Sequence, residues 1–176
     1  MRIFVICSLF VVFSTALFSQ EENYPIPPKT NELLFYIQRN HNANTIVYDA
    51  NFDGNGNLIQ NKPINVYWLR YDEKGQKMKL RTIEKWYAYG VECYKSKDKP
   101  YFNVELAANN KKEFKLLQTA PNKAVLTTSI NGKSSVIEHM YIFADNTGIW
   151  PKVKYIEIFG NDDSSGENTF QKIVIE

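Results

Sequence analysis

The sequence predicts a mainly β fold: about eight antiparallel strands forming a barrel or strongly bent sheet, with one helix over residues 77–89 covering an open side. Three observations carry this expectation. Short segments alternate apolar and polar residues, turn-forming residues separate them, and one segment alone switches to helical spacing. With 176 residues, 44% hydrophobic and 14% aromatic, the chain suffices for one real core and is short for two. Twenty-one basic residues stand against nineteen acidic ones, a formal charge of +2 with no like-charge block. That balance gives no support to a nucleic-acid partner.

Residues 1–19 read as a signal peptide. Met1-Arg2 start it with positive charge, and Ile3 to Phe18 form an apolar run broken only by Ser and Thr, too short for the roughly 20 residues that span a bilayer. The polar stretch Ser19-Gln20-Glu21-Glu22-Asn23 follows at once. The expectation is an exported protein, periplasmic or secreted, cut after Ser19, with no transmembrane segment once the signal is removed. Cys7 lies inside the run, not at its end, which is the wrong place for a lipidated first residue. Cys93 then remains alone, so no internal disulfide can form, and a small buried thiol held by packing is expected.

Residues 20–30 form a leader stiffened by Pro25, Pro27 and Pro28, each of which fixes φ. A single β-rich domain follows over residues 31–176. Leu33, Phe35 and Ile37 alternate with Leu34, Tyr36 and Gln38; Thr45 to Asp49 is β-branched and aromatic; Ile64, Val66 and Trp68 alternate with Asn65, Tyr67 and Leu69. Phe102, Val104 and Leu106 alternate with Tyr101, Asn103 and Glu105, as in a sheet with one wet face. Asn131-Gly132 suits a two-residue type I′ turn joining Ala124–Ile130 to Lys133–Phe143. Val153–Phe159 and Thr169–Ile175 add two strands around the polar loop of residues 160–166. In the helical segment, Leu80, Ile83, Trp86 and Tyr87 fall on one stripe, and Gly90 stands where a left-handed cap belongs.

No motif names an activity. Asp49, Asn51 and Asp53 with Gly54 resemble the first half of a calcium loop, but Gln60 stands where the bidentate carboxylate is needed, so a turn is the plainer reading and no metal is expected. His41 and His139 are the only histidines; no zinc spacing surrounds them, and His139 reads as a hydrogen-bonded structural residue. There is no Gly-x-Ser-x-Gly. No catalytic residue and no cofactor is assigned.

The sharper reading concerns two arginines. If Phe35 and Ile37 face inward, period two puts Arg39 on the same face, and Ile64, Val66 and Trp68 do the same for Arg70. Two guanidinium groups beside Asn40, His41 and Asn44, with Trp68 as apolar wall, would suit an acidic group on a small ligand. The competing reading pairs both arginines with Asp49, Asp53 or Asp72.

The stretches Leu34-Phe35-Tyr36-Ile37-Gln38-Arg39-Asn40, Asn44-Thr45-Ile46-Val47-Tyr48-Asp49-Ala50-Asn51, Ile64-Asn65-Val66-Tyr67-Trp68-Leu69-Arg70-Tyr71 and Trp86-Tyr87-Ala88-Tyr89-Gly90 make the chain resemble the bacterial family called domain of unknown function 4833. The resemblance covers roughly Asn31 to Ile175. It implies an exported protein of one domain, and it carries over no activity, cofactor or catalytic residue. The aromatic content and the absence of catalytic spacing make the expectation a non-catalytic binding domain for a small ligand, anionic or apolar. An envelope protein-interaction module and a hydrolase built on Asp, Glu and His are the alternatives. The sequence assigns no oligomeric state.

Overall fold

A computed structural model describes residues 24–148 and 151–175; the expected signal peptide lies outside them. Among the described residues eleven strands form one strongly curled, open sheet, a half-barrel. They are β1 (Leu33–Arg39), β2 (Asn42–Ala50), β3 (Ile64–Arg70), β4 (Gln76–Lys79), β5 (Val91–Lys95), β6 (Tyr101–Leu106), β7 (Asn109–Ala120), β8 (Lys123–Ile130), β9 (Lys133–Asp145), β10 (Lys152–Asp162) and β11 (Asn168–Val174). One short helix, α1, runs over Thr82–Glu84 and widens into a π turn over Lys85–Tyr89.

The central strand is β9. Along one edge it pairs with β10 from Ser135 to Asp145. Its other edge is shared: Lys133–Val136 pairs with β8 and His139–Ile142 with β1. The sheet forks there into two arms, β1 to β4 and β8 to β5. The β1–β9 ladder is parallel, a departure from the all-antiparallel expectation. Asn131 and Gly132 both take positive φ, 48° and 83°, as a type I′ turn requires.

The arms curl around a core filled by side chains. Phe35 and Tyr48 stack at 4.1 Å between centroids, and Ile46, Phe114, Leu116, Leu126, Ile130, Ile137 and Ile158 are fully buried around them. The leader over residues 24–30 has no regular secondary structure. It lies against the end of β1, where the Gln38 side-chain amide donates to the Pro25 carbonyl at 2.9 Å and the Tyr24 ring meets Tyr141.

Three further expectations need correction. The strand count is eleven, because β4, β5 and β7 join those expected. The helix is shorter, since Lys77–Lys79 belongs to edge strand β4, all of whose residues are exposed. Its stripe also faces the wrong way: Leu80 and Tyr89 are buried, whereas Ile83, Trp86 and Tyr87 are 62, 71 and 74% exposed.

Candidate functional site

The inner face of the first arm is built as period two requires. Ile46 pairs with Trp68 and with Ile37, so these three side chains share one side, and Arg39 follows them. Its guanidinium lies over the Trp68 ring, 5.8 Å from the centroid, and Nη1 donates to the Tyr89 hydroxyl at 3.4 Å. The Trp68 and Tyr89 rings meet edge to face at 5.4 Å. The Trp68 indole N–H donates to Glu84 Oε2 at 3.2 Å, and Glu84 also accepts from the Arg81 amide and guanidinium. Burial pushes the Glu84 carboxyl up, but these bonds more than offset it and hold its pKa below the usual value. Among the described residues no carboxylate forms an ion pair with Arg39.

The other residues singled out in the sequence have partners of their own. Arg70 is bound to Glu73 at 3.0 Å and Asp72 at 3.6 Å, with Nη1 against the Met78 sulfur. Asn44 donates to the same Asp72 at 3.1 Å; that bond first, and the Arg70 charge after it, hold the Asp72 carboxyl below its ordinary range. Asn40 is buried, and its side-chain amide donates to the Ala144 carbonyl while its oxygen accepts from the Ala144 N–H, both at 2.8 Å. That exchange imitates a strand pairing and extends the β1–β9 ladder. His41 sits in the β1–β2 turn at φ 57°, its backbone N–H donating to the Tyr24 hydroxyl. The structure thus brings Arg39 and Trp68 together, and places Arg70 and Asn44 in a separate acid-linked group.

A groove of about 620 Å³ lies elsewhere, along the seam where the two arms come closest on the side away from β9. Ile64 and Val66 of β3 form one wall, Val91 and Glu92 of β5 with Glu105 and Leu106 of β6 the other, and Lys85, Trp86 and Gly90 the lip. Lys62 stands at its end. The lip depends on Gly90: its N–H donates to the Lys85 carbonyl at 3.1 Å, and a Cβ there would sit 2.0 Å from that oxygen. Gly90 has φ −67°, so a close approach fixes glycine here and the expected left-handed cap is absent. The sequence reading missed this groove because its walls come from strands in different arms, and only the exposed Trp86 signals it.

Further motifs resolve into structure. Asp53 Oδ1 accepts from the Asn55 and Asn57 amides, both at 2.9 Å, and Asp49 accepts from the Tyr67 hydroxyl at 2.8 Å. The calcium-like letters therefore form an Asx turn. His139 stacks between Tyr36 at 5.2 Å and Phe159 at 4.2 Å, so among the described residues ring stacking rather than a hydrogen bond holds it, and burial lowers its pKa despite the nearby Glu138. Among the described residues no three His, Cys, Asp or Glu side chains converge as metal ligands, and no helix is long and apolar enough to cross a membrane.

Comparison with known proteins places the chain in one family. Residues 35–172 match the family described as Domain of unknown function (DUF4833), and the chain belongs to it. No curated protein and no solved structure matches.

Proposed function

We propose that this member of the DUF4833 family is an exported, non-catalytic binding domain whose site is the groove along the seam between β3 and β5. The observation that carries the reading is Trp86: a large aromatic side chain, 71% exposed, at the lip of a cleft lined by both apolar and charged groups. Large apolar side chains left in water beside a concavity are characteristic of binding surfaces. Export rests on the composition of residues 1–19 alone.

Native mass spectrometry of protein purified from its own host tests the reading directly. A retained mass that is lost in Trp86→Ala supports it; a bare protein, together with unchanged Trp86 fluorescence in host extract, refutes it. A second reading has one specific observation behind it. Arg39 has donors beyond its bond to Tyr89 and no ion-paired carboxylate among the described residues, so a small anion beside Trp68 would complete it. Saturable phosphate or sulfate binding abolished by Arg39→Ala would favour that reading.

A further inference from the structure

The groove is bordered by a sheet edge on which no strand is hydrogen-bonded among the described residues. Strand β5 ends the second arm and, among the described residues, pairs only with β6. The direction of its backbone groups follows from two bonds: the Ala107 N–H donates to the Gly90 carbonyl at 2.9 Å, and the Ser96 N–H to the Tyr101 carbonyl at 3.0 Å. Backbone groups alternate sides along an antiparallel pair. Gly90, Glu92, Tyr94 and Ser96 therefore face β6, and Val91, Cys93 and Lys95 turn their N–H and C=O groups to the open edge. The Val91 and Cys93 side chains pack inward against the core, so this edge is apolar beneath, beside the Ile64 and Val66 wall.

The charges on the outer face of β5 and β6 point to one kind of occupant. Glu92 and Glu105 are direct cross-strand partners, an arrangement that is unfavourable for like charges. Glu92 accepts from the Tyr94 hydroxyl, and neither glutamate has an ion-pair partner among the described residues. A third strand laid on the β5 edge would place alternate side chains on that same outer face, next to Glu92.

We propose, building on the groove reading, that the ligand is an extended peptide segment that adds to the β5 edge through Val91 and Cys93, with its apolar side chains over Ile64 and Val66 and a Lys or Arg beside Glu92 and Glu105. Strand addition of this kind draws affinity from the main chain and selectivity from alternate side-chain positions. Trp86, at the lip, covers the added strand.

The test uses the full mature chain and defined probes. One is a capped heptapeptide alternating Val and Lys, another its Val and Glu counterpart, and a third pair carries backbone N-methyl groups on alternate residues in each register. Fluorescence anisotropy should show saturable binding of the Val-Lys peptide, at least ~10-fold weaker binding of the Val-Glu peptide, and a similar loss in one N-methyl register, the scale of a lost hydrogen bond or charge contact. Glu105→Lys should erase or reverse the preference for the basic peptide, and amide shifts should centre on Val91 and Cys93. Indifference to N-methylation in both registers, equal affinity for both charge types, or no saturable binding up to about 1 mM overturns the proposal. A neutral oligosaccharide such as chitohexaose that shifts Trp86 while the peptides do not would overturn strand addition yet leave the groove as the binding site. Shifts confined to residues outside the groove would overturn both.

Discussion

The Tyr48 hydroxyl donates to the backbone carbonyl of Tyr89 at 2.9 Å, and both residues are buried. One hydrogen bond thereby fastens β2 to the last residue of the π turn. The Tyr48 ring meanwhile stacks on Phe35. Burial keeps the phenol far from ionising, its pKa well above the ordinary value, so it remains a donor at every physiological pH. Tyr48→Phe preserves the stack and leaves the carbonyl without its partner, which should cost about 1–3 kcal/mol. Urea denaturation measures the loss, and amide exchange should show Lys85–Gly90 opening more often than the strands beneath it.

Gly90→Ala should be worse than its helix-end position suggests. The backbone angle suits alanine, but the methyl would collide with the Lys85 carbonyl. The π turn must then unwind or shift, an overpacking cost of about 1–3 kcal/mol. Loss of stability accompanied by weaker ligand binding is the expected pair of results. A fully stable variant with intact Trp86 fluorescence would show that the turn is not held by this approach.

Cys93 should react slowly with thiol reagents. It is half-buried on the inner side of β5, and burial raises its thiol pKa to about 11, so little thiolate exists near neutrality. Alkylation rates should climb steadily from pH 7 to pH 10 with no plateau. Levelling off by about pH 9.5 would mean that the thiol titrates as an ordinary exposed one. If a peptide strand occupies the β5 edge, its presence should slow the reaction further.

His139 gives the fold an acid-sensitive point. It is held neutral between Tyr36 and Phe159, its pKa depressed by burial, with Glu138 the nearby charge that opposes the shift. The unfolded chain takes up this proton first, near the ordinary value of about 6.5, so the histidine's contribution is intact above that pH and declines as pH falls below it. His139→Phe should retain the stack and flatten the stability profile between about pH 6.5 and the folded-state pKa. An unchanged slope in thermal melts across that window would place the sensitivity elsewhere.

Much of the architecture was legible because period two is a local property. Phe35, Ile37 and Arg39, and Val66 and Trp68, share the inner face that their spacing implies, and Asn131-Gly132 makes the turn its chemistry favours. Strand β4 was invisible because Gln76, Lys77, Met78 and Lys79 are all exposed on an edge and no buried face imposes alternation. The helical stripe misled for a physical reason: Ile83, Trp86 and Tyr87 have the spacing of a core face, yet the core is already filled from both arms, and they are left in water. The two arginines illustrate the remaining limit. Period two gives the side of the strand and no partner; the competing reading names Asp72, which binds Arg70 together with Glu73 just beyond β3.

The fork at β9 orders the assembly of the chain in time. Each arm is a run of strands consecutive in sequence, β1 to β4 and β5 to β8, and such local pairings form quickly. The arms join through a single ladder, Tyr36–Arg39 against His139–Ile142, whose partners are about 100 residues apart in sequence and therefore carry the largest loop-closure entropy in the fold. Docking of that ladder is therefore the step expected to set the folding rate. Substitutions that weaken it, at Ile37 or Met140, should slow refolding in stopped-flow traces, whereas changes within either arm should act mainly on unfolding.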